Sequence, residues 1–298
     1  MKYQKPFLKW VGGKSQIIDD IVSQFPQECN NYHELFLGGG SVLLALLNLQ
    51  KEEIITIKGK VYAYDSNISL INLYKHIQKK KEELYERIIK HKTVYDSIKG
   101  TDLLKNPGNI NEAMTSKESY YYWLRNEYRK INKDSIESSA LFIVINKLCF
   151  RGLYREGPNG FNVPFGHYKN TPTIINIDEL IKISELIQNV TFLCMDFKDS
   201  IEKVNKDDYV YLDPPYAPID SKSFVSYTKE GFGEDMHKHL FKKVKELNGK
   251  KVKFSMSNVK VKMVTDAFLD YQIKEVIAKR SINSKNPASK VTEVIIFN

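Results

Sequence analysis

Tyr209-Val210-Tyr211-Leu212 is an unbroken apolar and aromatic run that stops abruptly at Asp213-Pro214-Pro215-Tyr216. Such a pattern predicts a buried strand that delivers a carboxylate, a rigid turn and an aromatic ring to one edge of a sheet. Two consecutive prolines fix φ and remove two backbone donors, so the carbonyls of Asp213 and Pro214 are left to accept hydrogen bonds. The turn suits a ligand with an N–H to donate, and Tyr216 adds a flat face on which a planar ring can stack. By themselves the same four residues also describe a conventional proline turn. Two further segments bear on the choice: Lys60-Val61-Tyr62-Ala63-Tyr64-Asp65, and Val190 to Met195 followed by Asp196-Phe197, are strand-like and also end on acids. Helical periodicity follows or separates them, from about Ser69 through Leu70, Leu73 and Ile77, from Asp178 to Ile187, and from Asp235 to Leu247. This alternation predicts an α/β fold built on an open parallel sheet, whose strand carboxyl ends share the edge where ligands bind.

Composition narrows the surroundings. A length of 298 residues, 42% hydrophobic and 27% charged, suits a soluble globular chain with either a large single core or one α/β domain carrying an inserted second one. The basic start Met1-Lys2-Tyr3-Gln4-Lys5-Pro6 leads into no signal-like apolar run, and no segment approaches the roughly 18 apolar residues of a membrane span, so a cytoplasmic location is expected. Cys29, Cys149 and Cys194 are three cysteines at wide, irregular spacing, which argues against disulfides and against a structural metal. The formal net charge of +9 favours a polyanionic partner, nucleic acid foremost.

Two glycine turns invite phosphate-binding readings that fail in detail. Phe7-Leu8-Lys9-Trp10-Val11-Gly12-Gly13-Lys14-Ser15 has Leu8 where a Walker loop needs its first glycine, which leaves a glycine turn flanked by an indole and an ammonium. His33-Glu34-Leu35-Phe36-Leu37-Gly38-Gly39-Gly40-Ser41-Val42 reads as a strand, a glycine turn and a helix capped by Ser41. Gly38 and Gly40 match the dinucleotide fingerprint, but its third glycine falls on Leu43. That departure favours a nucleoside ligand without a pyrophosphate, S-adenosylmethionine (SAM) rather than NAD. Asp65 lies where Rossmann-like folds place the acid for the ribose hydroxyls, although a lone Asp there also serves as a helix N-cap.

Between about Lys75 and Asn170 the character changes. Lys75, Lys79, Lys80, Lys81, Arg87, Lys90 and Lys92 crowd one helical region, and Tyr120-Tyr121-Tyr122-Trp123 and Tyr128 follow. Cations mixed with rings suit a nucleic-acid surface, while a Lys-rich helix alone describes a solvated face. If that helix faces a DNA backbone, loss of its charges weakens binding to all DNA alike. Beyond the apolar helix Ala140–Ile145, Gly157-Pro158-Asn159-Gly160 forms a turn between extended arms. A two-stranded ribbon with Arg155 beside its tip fits the DNA major groove, where arginine pairs with both acceptors of guanine.

Together these motifs resemble the Dam-like (D12 class, α-group) DNA adenine-N6 methyltransferases over nearly the whole chain. The matching pieces are Phe7 to Lys14, Phe36-Leu37-Gly38-Gly39-Gly40-Ser41-Val42, Asp65, Phe161-Asn162-Val163-Pro164-Phe165-Gly166, Asp196-Phe197, and Asp213 to Tyr216 continuing into Phe224-Val225-Ser226-Tyr227-Thr228. The resemblance implies a Rossmann-like SAM-dependent methyltransferase sheet, 1–74 and 172–298, with an inserted, mainly helical target-recognition domain, 75–171, carrying a β-hairpin. It implies cofactor contacts at Trp10, Lys14, Phe36, Gly38, Gly40, Asp65, Asp196, Phe197 and Asp213, and a catalytic motif at Asp213, Pro214, Pro215 and Tyr216. DNA contacts are implied at Lys9, Leu153, Arg155, Asn162 and Pro164, with Arg155 resembling a guanine-reading residue. Two departures stand out: the loop before Phe161 is a residue shorter than in well-known relatives, and Leu35 replaces a frequent proline.

The implied partner is double-stranded DNA, with a GATC-type site as the family default, no metal, and a monomeric enzyme. The adenine amino group is a poor nucleophile and is out of reach in a duplex, so the base must be flipped. Stacking on Tyr216 and hydrogen bonds to Asp213 and the Pro214 carbonyl would aim it at the methyl donor. No cysteine follows a proline, which leaves cytosine-C5 chemistry without its thiolate. The competing readings are methylation of cytosine N4, RNA or a protein glutamine, and an inactive DNA-binding scaffold.

Overall fold

The computed structural model describes residues 3–218, 232–279 and 290–298. The Phe224–Thr228 motif lies outside these residues. The chain divides into two compact units, one formed by Met1–Lys5, Gly13–Ser66 and Asn189–Asn298, the other by Pro6–Gly12 and Asn67–Gln188.

The first unit is built on a seven-stranded sheet. Its strands are β1 (Tyr32–Glu34), β2 (Val61–Asp65), β3 (Val190–Cys194), β4 (Tyr209–Leu212), β5 (Lys253–Val259), β6 (Gln272–Lys279) and β7 (Lys290–Phe297). Across the sheet they run β6-β7-β5-β4-β1-β2-β3. The first five pair in parallel, with Tyr32 opposite both Val61 and Tyr209, Val61 opposite Val190, and Leu212 opposite Met256. β7 lies antiparallel between β5 and β6. This is the Rossmann order 3-2-1-4-5 with one antiparallel strand inserted before the sixth, and it bears out the mixed α/β, Rossmann-like reading.

All four residues of β4 are buried, as a parallel strand covered on both faces requires. Val210 and Leu212 pack with Leu35, Tyr64, Phe254, Met256, Val294 and Ile296, and with Leu240, Phe241 and Val244 from the helix Glu234–Gly249. Truncating Leu212 to alanine would cost about 2–5 kcal/mol. Strand order reverses between β1 and β4, so the glycine turn after β1 and the proline turn after β4 open on the same crevice. That crevice is where the sheet offers backbone and side chains to a ligand.

The helix after the glycine turn, Ser41–Lys51, is capped differently from expectation. Gly40 is its N-cap, in the left-handed region at φ 73, and no side chain caps the helix. The Ser41 hydroxyl instead accepts the backbone N–H of Lys14 at 3.1 Å.

The second unit is mainly helical: Ile68–Lys79, Lys81–Ser97, Lys117–Lys130, Ile136–Leu148 and Ile177–Leu186 are its longer elements. Tyr120, Tyr121, Tyr122 and Tyr128 are buried, so these rings form the core of this unit and not a stacking surface. The physical reason is their placement on one helix, where the apolar bodies turn inward, and the hydroxyls of Tyr120 and Tyr121 meet His91 Nδ1 and the Val163 carbonyl. The ribbon is short, two residues a side, with Glu156 opposite Phe161 and Gly157 opposite Gly160. No helix among the described residues is long and apolar enough to cross a membrane.

Candidate active site

The proline turn is held from several directions. Asp213 lies just beyond β4, and its Oδ2 is 2.7 Å from the Lys14 ammonium. Its other oxygen, Oδ1, is buried and has no hydrogen-bond partner among the described residues. An unpaired buried carboxylate oxygen costs free energy unless a ligand supplies the donor. Burial pushes the Asp213 carboxyl up to about 6; Lys14 pulls against that shift and the negative charge of Glu293 adds to it.

Tyr216 is fixed at its far end, where its hydroxyl donates to Glu293 Oε2 at 2.5 Å. Burial, then the charges of Asp213 and Glu293, hold that phenol well above its ordinary range, so it stays neutral. The Lys14 ammonium sits 4.9 Å from the centroid of its ring. His237, on the helix Glu234–Gly249, lies with Nε2 2.9 Å from the Pro215 carbonyl and Nδ1 2.9 Å from that of Gly233. Asn258, on β5, accepts the backbone N–H of Ala217 through Oδ1 at 3.1 Å. Glu293, His237 and Asn258 are functional supports that sequence reasoning missed, since each reaches the turn only through the fold.

Across the crevice, the glycine turn places Gly38 and Gly40 at φ 50 and 73, values that favour glycine. The Gly38 N–H donates to Asp65 Oδ2 at 3.0 Å, which ties the end of β2 to the turn after β1. The N-cap of the next helix, Ile68–Lys79, is Asn67, whose side chain accepts from the Leu70 N–H. Asp65 is thereby relieved of the capping task. Asp196, beyond β3, is exposed and caps a short helix through the Lys198 N–H, while Phe197 is buried and stacks on Phe36 at 5.6 Å. Beneath the crevice Glu34 is fully enclosed; burial pushes its carboxyl up to about 8 against the Tyr32 hydrogen bond, and Asp213 adds to the rise.

The remaining expected positions fall in the second unit. Trp10 stacks on Tyr154 with ring centroids 5.4 Å apart and meets Phe142 edge-on. Lys9 is anchored by its backbone to Asn146, and its ammonium lies 4.6 Å from the Tyr168 ring. A Cβ on Gly152 would come within 2.3 Å of the Lys9 Cβ, so glycine is required there both by space and by its φ of 66. Arg155 is exposed, and its Nε donates to Asn162 Oδ1 at 2.6 Å, which brings two expected DNA contacts together. Leu153 is partly buried, and Pro164 is exposed with its carbonyl accepting the Phe150 N–H. Arg125 and Arg129 fasten the ribbon's return arm by donating to the Val163 and Phe161 carbonyls. Among the described residues no group of three His, Cys, Asp or Glu side chains is arranged to hold a metal ion.

The site thus joins an enclosed acceptor, Asp213 Oδ1, with the ring of Tyr216 at the switch point of a Rossmann-like sheet. Residues 10–282 match the family described as D12 class N6 adenine-specific DNA methyltransferase, and the chain belongs to that family. It is 37% identical over 307 residues to the Type II methyltransferase M.MjaIII of Methanocaldococcus jannaschii, covering 99% of both chains. It is 32% identical to the Type II methyltransferase M1.LlaDCHI of Lactococcus lactis subsp. cremoris, covering 99% of this chain and 95% of the relative. The DNA adenine methylase of Haemophilus influenzae is also 32% identical, over 96% of this chain and 90% of its own length. The chain is thus an adenine-specific DNA methyltransferase, as its motifs led one to expect, and SAM is the methyl donor its family implies.

Proposed function

We propose that the chain methylates the N6 amino group of an adenine flipped out of duplex DNA, within a site read by the ribbon around Arg155. The observation that carries this reading is the buried Asp213 Oδ1, an acceptor without a donor, next to the ring of Tyr216. An extruded adenine presents an N–H and a flat face, which are what these two groups lack. Asp213 Oδ1 accepts one N6 hydrogen and the Pro214 carbonyl the other, which draws the lone pair out of conjugation and aims it. Tyr216, tethered at Glu293, holds the base plane.

The glycine turn suits the donor: Asp65 offers a carboxylate for ribose hydroxyls, Gly38 and Gly40 let the backbone approach closely, and Asp196 and Phe197 flank the place of a purine. When bound, SAM would supply an electrophilic methyl on a sulfonium sulfur; transfer forms the N6–C bond from the nitrogen lone pair, breaks the S–C bond with its electrons left on a neutral thioether, and passes one N6 proton to solvent. Residues 75–171 act as the target-recognition part, with Arg155 held in place by Asn162 to read guanine, as in a GATC-type site.

The test is transfer of radiolabelled methyl from SAM to duplex DNA, RNA and total protein. Label is expected in DNA, at N6 of adenine on digestion. Asp213→Asn should lower the rate by about 10³ while SAM still binds by calorimetry. Label confined to RNA or protein, or full activity of Asp213→Asn, would overturn the reading.

A further inference from the structure

Lys14, a cofactor contact by resemblance, also meets the carboxylate of the proline turn. Its backbone is fixed on both sides: the N–H donates to Ser41 Oγ, and the carbonyl accepts the Ile17 N–H at 3.0 Å. The side chain is 4% exposed, and its ammonium meets Asp213 Oδ2 at 2.7 Å while lying 4.9 Å from the Tyr216 ring centroid. Burying an ammonium is costly unless a carboxylate compensates it, and the same holds for Asp213.

The other groups that face Asp213 do not supply a cation. Glu34 approaches from β1, Tyr211 from β4 with its hydroxyl bonded to Ser257, Tyr216 from the turn itself, and Glu293 from β7. Among the described residues Lys14 is the one positive charge acting on this carboxylate. By taking Oδ2 it leaves Oδ1 as the open acceptor.

We propose that Lys14 is a positioning residue of the methyl transfer, whose ammonium keeps Asp213 a carboxylate and turns Oδ1 toward the incoming amino group. The inference rests on the reading of Asp213 as the acceptor of N6–H. Without Lys14, burial and the negative charge of Glu293 act on Asp213 unopposed and favour its protonated form, which has lost an acceptor site.

The experiment is the pH profile of kcat/KM for methyl transfer to duplex DNA, with SAM affinity by calorimetry alongside. In the wild type the acid limb should lie near pH 6, where Asp213 titrates. Lys14→Met is expected to move that limb up by a unit or more, which near the limb is a tenfold loss, and to recover in part at pH 9. Lys14→Arg should return the limb toward the wild-type position, with SAM held well above the Kd measured for each variant. If Lys14→Met does not fold, Lys14→Gln, neutral and shorter, must show the same upward shift. An unmoved limb overturns the role of Lys14. An active Asp213→Asn enzyme would overturn the parent reading instead, so the two failures are distinguishable.

Discussion

Glu293 meets Tyr216 across 77 positions of sequence, and its charge reaches Asp213 as well. Glu293→Gln keeps an acceptor for the Tyr216 hydroxyl but removes the charge that raises Asp213, so the Asp213 carboxyl should titrate below about 6. The acid limb of kcat/KM is therefore expected to move to lower pH, opposite in sign to the shift in Lys14→Met. A profile measured from pH 5 to 9 decides it, and a limb that rises or stays fixed removes Glu293 from the circuit. Asp213 to Tyr216 were legible in the sequence because proline, acid and ring are contiguous. Glu293 was not, because an acid on a strand near the chain's end acquires its role only when β7 pairs with β5 and carries it to the turn.

Strands and turns were read more completely than the caps that delimit them. Each acid-ended strand is present, since a run of apolar residues that stops at a carboxylate has few other ways to bury itself. The caps went differently because Asp65-Ser66-Asn67 offers three acceptors in a row, and only the geometry of the turn decides which meets a helix N–H. The aromatic helix Lys117–Lys130 shows the same limit, since a sequence of tyrosines does not say which side of a helix faces inward. This division of labour has a consequence. Asn67→Ala should destabilise the protein by about 1 kcal/mol in urea denaturation and leave the SAM Kd within twofold. Asp65→Ala should weaken SAM binding tenfold or more by calorimetry. Equal SAM affinities for the two variants would deny Asp65 its ribose role.

At the level of the whole molecule, a net charge of +9 establishes attraction to a polyanion without saying which lysines meet it. Three of the seven cations between Lys75 and Lys92 have acid partners: Lys81 pairs with Glu82, Arg87 with Glu83 and Glu137, and Lys92 with Asp96. Composition counts such charges as available, whereas the fold has already given them partners. Only a cation that releases counterions from phosphate steepens the salt dependence of binding. Replacing Arg87 and Lys92 together by glutamine should therefore leave the slope of log Kd against log salt unchanged. Arg155 carries no acid partner among the described residues and is oriented by Asn162, so its loss should act on sequence choice instead. Arg155→Ala is expected to reduce discrimination between cognate and non-cognate duplexes by about 1–3 kcal/mol, with SAM affinity unchanged. Binding isotherms for both variants at several salt concentrations, with methylated adenines mapped by sequencing, separate the two effects. A flattened slope in the Arg87 and Lys92 double variant would return that helix to the DNA backbone, and an unaltered methylation pattern in Arg155→Ala would remove the ribbon from recognition.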